Sequence, residues 1–264
     1  RSDIYGTKEA YLESFRHYTE LIQPGGALII HDALEMKPNV QEGVKTYIYS
    51  RDKGDFHAEN INIDNGEITF DFISPIESIK DIQLGQPVPI NIENGIAAMA
   101  MAQLNGCTAE EIKYGMQAYS GVDRRFDFKI KNDRHVFLSD YGHHPKEVMQ
   151  SARSLRELYP NRKITAMFQP HLYTRTRDFY KDFADALSLF DEVILTEIYP
   201  AREQPIPGVT SQLIYDNLKE GIQKTMIQKD DVLDYVKNRD FDVLVVLGAG
   251  NLDNYVPQIT KILE

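Results

Sequence analysis

Two short stretches hold side chains that could do chemistry: Asp140-Tyr141-Gly142-His143-His144-Pro145-Lys146-Glu147, and Phe168-Gln169-Pro170-His171-Leu172-Tyr173-Thr174-Arg175-Thr176. Each lies just beyond an apolar segment and before a helical pattern, where an open α/β sheet builds its binding crevice. An imidazole at the amino end of a helix is disfavoured from taking a second proton, so His143 and His144 can meet a polar ligand as neutral donors or acceptors. The guanidinium groups of Arg175 and Arg177, read as lying on a strand-to-helix loop, can grip a carboxylate or phosphate with paired hydrogen bonds. An anionic substrate is the natural reading.

The elements that must position these groups follow from periodicity. Val136–Leu138 reads as a short buried strand. Pro145 suits a first helical position, where its missing N–H costs nothing. Val148, Ala152, Leu155 and Tyr159 recur every three or four residues and carry that helix to Pro160. Ile164–Phe168 is the next strand, and Phe179, Phe183, Leu187 and Phe190 mark the stripe of the following helix. Further strands are expected at Phe126–Ile130, Glu192–Thr196 and Val243–Leu247, so this part predicts a doubly wound, mainly parallel α/β sheet. Gly248-Ala249-Gly250 is read as a tight strand-to-helix turn, because Asp253 stands where a dinucleotide fingerprint needs a third glycine.

Before it, Tyr11, Phe15, Tyr18 and Ile22 mark a helix from Thr7 to about Gln23, followed by strands at Ala27–His31 and Val44–Tyr49. Asp64-Asn65-Gly66 between two apolar runs signals a hairpin within a small antiparallel sheet. Asn94–Leu104 should pack as a helix, and Thr108 with Glu111 has capping-box spacing for the next. The turn at Ser120-Gly121-Val122 places the boundary near Asp123, dividing the chain into domains 1–123 and 124–264.

Composition sets bounds. In 264 residues, 29 basic against 40 acidic side chains give a formal charge of -11, which disfavours nucleic-acid partners. Cys107 is the only cysteine, so an intramolecular disulfide is excluded; the expectation is a buried thiol in a reducing cytoplasm. No apolar run approaches the roughly 20 residues that span a membrane, and the amino end lacks a signal-sequence pattern, so no membrane partner and a cytoplasmic location are expected. Adjacent histidines at a helix start point in different directions and have no cysteine nearby, so no metal site is expected there.

Several motifs in one order resemble the carboxyl-terminal half of the Mur ligases: DIYGT at Asp3–Thr7, NIENGIAA at Asn91–Ala98, GVDRRF at Gly121–Phe126, the two stretches above, YPAREQPIPGV at Tyr199–Val209 and GAGN at Gly248–Asn251. Within that family the chain is most similar to the members that join L-alanine to UDP-N-acetylmuramate. The resemblance implies a cytoplasmic step of peptidoglycan precursor synthesis, in which ATP, with Mg2+, phosphorylates the muramoyl carboxylate and the amine of L-alanine forms the amide. It also implies the carboxyl-terminal part of an ATPase-like α/β domain followed by a Rossmann-like domain. Asn91 and Asn94 would lie at the adenine, with Arg125 and Asp140 also at the nucleotide. Arg125, Asp140 and His143 would serve catalysis, and Tyr141, His171 and Arg175 would bind the amino acid and the activated carboxylate.

The sequence also departs from the family pattern. It contains no GKT string, whose backbone N–H groups and lysine would hold the ATP phosphates, and no upstream acidic magnesium ligand or UDP-holding domain. The expectation is a chain that begins inside the central domain, needs the missing amino-terminal portion as its partner, holds no cofactor tightly and is inactive alone. Arg1-Ser2 replaces a histidine before DIYG and reads as a cloning remnant. Ile90 stands where a histidine commonly precedes the first Asn, and Leu172 replaces an arginine common after His171. Two other readings stay open: a murein-peptide ligase acting on the same acceptor, and a non-catalytic amino-acid or anion-binding module. For single residues the alternatives are also plain: a helix-start role for Asn91 and Asn94, a satisfied backbone carbonyl for His171, solvated charges for Arg175 and Arg177, and a salt-bridge element for Arg124-Arg125.

Overall fold

A computed structural model describes residues 5–264. Arg1-Ser2, and Asp3 with Ile4 of the DIYGT motif, lie outside the described residues. Two compact units divide between Ser120 and Gly121.

In the first unit, α1 (Lys8–Thr19) starts where the Thr7 hydroxyl accepts the Ala10 N–H at 3.1 Å. Its apolar stripe is not covered, since Phe15 and Tyr18 are 44% and 69% exposed. The strands β1 (Ala27–His31) and β2 (Lys45–Tyr49) pair in parallel. β3 (His57–Asp64), β4 (Glu67–Ile73) and β5 (Ile79–Gln83) form the antiparallel sheet. The expected hairpin turn holds Asn65 and Gly66 at φ of 43° and 75°, the left-handed pair that a two-residue turn between twisted strands requires. The helices α2 (Ile90–Leu104) and α3 (Ala109–Ala118) follow. α2 begins four residues earlier than its apolar pattern indicates, because Pro89 at φ -52° already has helical backbone. Phe56, Ile68, Phe70, Phe72, Ile82, Ile92 and Ile96 fill the core. Cys107, expected to be buried, is exposed; it sits in the turn after α2, its N–H bonded to Ala102 O at 3.0 Å.

The second unit is the doubly wound sheet. It comprises β6 (Asp127–Lys131), β7 (Val136–Asp140), α4 (Pro145–Leu158), β8 (Ile164–Phe168), α5 (Tyr173–Leu187), β9 (Glu192–Leu195), α6 (Gln212–Asn217), β10 (Gln223–Met226), α7 (Val232–Lys237), β11 (Val243–Leu247) and α8 (Val256–Leu263). The strand order is β10-β9-β8-β11-β7-β6, all parallel except β6 at the edge. β7, β8, β9 and β11 are buried throughout, which explains their near-continuous apolar sequences. One face packs Phe137, Met167, Ile194, Leu244 and Val246 against α7 and α8 through Val232, Val236, Val256 and Ile259. Because β11 returns between β7 and β8 and leads to α8 on the opposite face from α4 and α5, a crevice opens at the carboxyl ends of these strands.

The turn after β11 is tightly fitted. Gly248 has φ 134°, and a Cβ there would lie 2.8 Å from Gln169 O. Gln169 is buried, accepts the Leu252 N–H at 2.9 Å and donates to Asn251 Oδ1 at 3.1 Å, tying the end of β8 to the glycine turn. Gly248→Ala is therefore expected to destabilise the second unit by more than about 1 kcal/mol, through strain at a position no L-residue accepts. Guanidinium unfolding with a probe in that unit measures it, and an unchanged midpoint would contradict the fit described.

Candidate functional site

β7 ends in Asp140, which is 8% exposed and fully engaged. Its Oδ2 accepts the Ser151 hydroxyl from α4, and its Oδ1 accepts the Phe126 N–H at 3.3 Å. Burial pushes the Asp140 carboxyl above its ordinary range; the Ser151 hydroxyl, the Phe126 N–H and Arg125 oppose this without reversing it. The turn that Asp140 holds is unusual, with Arg124 and Phe126 at φ of 60° and 50°. Tyr141 N donates to Arg124 O at 2.7 Å, and the guanidinium carbons of Arg124 and Arg125 lie 4.8 and 5.4 Å from the Tyr141 ring centre. Arg124 is paired with Asp253 at 3.1 Å, and Arg125 approaches Glu147 only at 4.0 Å. Both partners lie in the second unit.

α4 starts with Pro145 as expected. Its amino end is satisfied by Glu147, whose Oε2 accepts the N–H groups of His143 and His144 at 3.0 and 3.1 Å. Burial pushes Glu147 upward, but these N–H groups, His143 and Arg125 outweigh it, and its carboxyl lies below the ordinary range. His143 Nδ1 faces Tyr141 O at 3.0 Å and Glu147 Oε2 at 3.4 Å. Both are acceptors, so Nδ1 carries a proton, and a ring holding that proton alone has Nε2 as its acceptor.

His171 shows the opposite tautomer. Arg175 Nη1, which can only donate, lies 3.1 Å from His171 Nδ1, so Nδ1 accepts and Nε2 carries the proton. Burial, Arg175 and His143 hold the His171 imidazole below its ordinary value, with Glu203 opposing. The rings of Tyr141 and His143 are 5.0 Å apart, those of His143 and His171 6.1 Å, and those of His171 and Tyr199 5.6 Å. The loops after β7, β8 and β9 therefore converge, bringing together a ring acceptor, a ring donor and a guanidinium beside a phenol.

Not every candidate joins them. α5 begins at Tyr173, so Arg175 and Arg177 lie on its first turns and not on a loop. Arg177 pairs with Asp178 at 2.7 Å on the exposed surface, which leaves Arg175 alone at the cluster. The His144 ring packs 5.3 Å from that of Phe179. Asn91 and Asn94 belong to the first unit and line a cavity of about 380 Å³ with Leu84, Gly95, Met116 and Tyr119. Asn91 Nδ2 donates to Gln86 O at 3.2 Å, and Asn94 Nδ2 to Asn91 Oδ1 at 3.3 Å. The slot is mainly apolar, with the Asn91 and Asn94 amides at its edge. Among the described residues no group of three or more His, Cys, Asp or Glu could hold a metal ion, and no helix is long and apolar enough to cross a membrane.

Tyr199, Glu147 and Glu203 stand in the motifs singled out from the sequence, but sequence reasoning gave none of them a role in the site. Glu147 had a signal, three residues after His144 before an apolar stripe, whereas Tyr199 and Glu203 are placed only by the return of β9 beside β8.

The second unit is a doubly wound α/β domain whose strand ends carry two imidazoles and an arginine. Residues 124–250 match the family model for the Mur ligase, glutamate ligase domain. Over 262 residues the chain is 68% identical to the UDP-N-acetylmuramate--L-alanine ligase of Phocaeicola vulgatus, covering 99% of this chain and 57% of that protein. The corresponding ligase of Porphyromonas gingivalis ATCC 33277 is 46% identical over 99% of this chain and 58% of its own length. The crystal structure of MurC from Thermotoga maritima superposes with a TM-score of 0.77 at 21% identity, over 98% of this chain and 56% of that one, a likeness of fold. Residues 124–250 thus carry the Mur ligase, glutamate ligase domain, and the chain spans a little over half the length of the curated relatives it matches.

The Asp140 carboxyl gives a pH test. Its folded value is raised, so its contribution is fully present below the unfolded value and is lost as pH rises through the folded one. Asp140→Asn keeps an acceptor for the Phe126 N–H and removes the titration. Urea unfolding should show the variant gaining stability relative to the wild type between pH 4 and pH 7; a difference that does not change with pH refutes an ionisation penalty at Asp140.

Proposed function

We propose that this chain is the carboxyl-terminal portion of an ATP-dependent ligase that joins L-alanine to UDP-N-acetylmuramate in the cytoplasm. The observation that carries the reading is the convergence of Tyr141, His143, His171 and Arg175 at one set of strand ends. The identities to proteins of that name support the substrate pair. In the proposed reaction the muramoyl carboxylate attacks the γ-phosphorus of ATP and ADP leaves. The amine then attacks the acyl carbon, the C–O bond to phosphate breaks, and the amide, phosphate and a proton are released.

Each residue has a part that its chemistry allows. Arg175, with the Nε2–H of His171 beside it, holds the carboxylate of L-alanine. The neutral His143 Nε2 takes the proton released as the amine becomes an amide nitrogen. Tyr141 supports Arg125, whose exposed guanidinium meets nucleotide phosphate. Asp140 acts through the 124–126 turn, both of its oxygens being occupied by Ser151 and Phe126. Asn91 and Asn94 face the adenine edge. ATP suits that cavity, and a MurF ligase of Thermotoga maritima, similar in fold with a TM-score of 0.68 at 14% identity, was crystallised with ADP. Mg2+ would screen phosphate charge; the described residues do not form a set of ligands for it, and no step is assigned to it.

In the full-length protein, Arg175→Ala should raise KM for L-alanine about 10- to 150-fold, the worth of a charged hydrogen bond. His143→Ala should lower kcat about 10²- to 10⁴-fold. Coupled-enzyme measurement of ADP release with varied L-alanine checks both, and alanine kinetics indifferent to both changes would sink the proposal. The 264-residue chain, which contains no GKT string, should release no ADP with the same substrates.

A further inference from the structure

The amino end of α5 lacks a cap of its own. Leu172 at the N-cap has φ 72° and no side-chain oxygen, and the first turn contains no acidic residue. The unbonded N–H groups there need acceptors and would attract any anion in the crevice. They are met from 29 residues downstream. Glu203 Oε2 accepts the Thr174 N–H at 3.0 Å and Oε1 accepts the Thr174 hydroxyl.

The same loop holds the site's aromatic wall. Tyr199 N donates to Pro170 O at 2.8 Å, Leu172 N donates to Tyr199 O at 2.9 Å, and the His171 and Tyr199 rings stack. Glu203 N donates to Pro200 O at 2.9 Å, closing a turn through Ala201 at φ 50°. His171 is thus held between Tyr199, which belongs to this loop, and Arg175, which belongs to the helix turn that Glu203 caps.

We propose that Glu203 is a positioning residue that latches the 199–208 loop to α5, fixing His171 and Arg175 and filling the helix end so that a substrate carboxylate goes to Arg175. The amino-acid part rests on the function proposed above; the latch does not. Its carboxylate neutralises the positive end of the helix, leaving Arg175 as the open anion contact. Glu203 is bonded to Thr174 and Pro200, so its effect on the site acts through other residues.

Hydrogen exchange followed by mass spectrometry on the full-length protein reads the latch directly. Glu203→Ala should accelerate exchange in the first turn of α5 about 2- to 30-fold, the span of losing a helix cap, and Glu203→Gln, which keeps one acceptor, should restore much of the protection. In NMR titration of the 264-residue chain, both variants should move the His171 midpoint lower, since Glu203 opposes its depression. Kinetically, Glu203→Ala should raise KM for L-alanine about tenfold with less than about a twofold change in KM for ATP. Unchanged exchange and an unmoved His171 midpoint overturn the latch. Faster exchange with an unaltered alanine KM, in an enzyme whose wild type depends on alanine, overturns its positioning role. A wild type with no alanine dependence refutes the amino-acid reading, and exchange and titration still decide the latch.

Discussion

The second unit depends on the insertion of β11 between β7 and β8. Val243–Leu247 is hydrogen-bonded on both sides, with Val245 opposite Leu138 and Ala166, so its five residues set the register of three strands together. A strand buried on both edges and both faces has no freedom to slip without turning apolar side chains toward mismatched neighbours. Gly248 then turns against Gln169 O, and the ends of β7, β11 and β8 finish at one level. The loops carrying Tyr141 and His171 meet because β11 separates their strands by a single strand spacing on each side.

Convergence alone does not set protonation. His143 and His171 have their Nδ1 atoms fixed by opposite kinds of partner, a carbonyl and carboxylate in one case and a guanidinium in the other. Two imidazoles 6.1 Å apart are thereby held in complementary forms, and Arg175 and burial favour a neutral His171. A nucleophile that arrives with both a carboxylate and an amine needs such a division: donors for one end and an acceptor for the other.

Much of this was legible in the sequence. Uncharged runs located β7, β8 and β11, Pro145 located the start of α4, and Asn65-Gly66 located the hairpin, each because the local chemistry admits few alternatives. The start of α5 was misread, since Leu172 gives no capping signal and its cap comes from Glu203. Arg175 and Arg177 looked equivalent by spacing, yet two residues of helix send one toward His171 and the other to a surface pair with Asp178. The fate of Cys107 followed from a turn and not from composition. What pairs across the sheet, as Tyr199 does with His171, has no local trace.

The two ends of the sheet treat charge differently, and the contrast separates structure from chemistry. At the amino ends of the strands, Glu192, Asp191 and Asp242 are each paired with a cation. Buried Glu192 takes Lys163 and Arg239, both at 2.7 Å, while Asp191 takes Arg156 with the Ile164 N–H, and Asp242 takes Arg162 with the Lys163 N–H. Such pairs hold register, because removing one member leaves an uncompensated charge in an apolar setting. At the carboxyl ends the carboxylates are also occupied, Asp140 by Ser151 and Phe126 and Glu203 by Thr174, but the cations are not matched to them. Arg175 donates to the His171 ring, and Arg125 stands 4.0 Å from Glu147. The carboxylates at the carboxyl ends are thus spent on holding a turn and two helix starts, whereas those at the amino ends are spent on cations, so one end of the sheet fixes register and the other fixes the loops that carry Tyr141, His143 and His171.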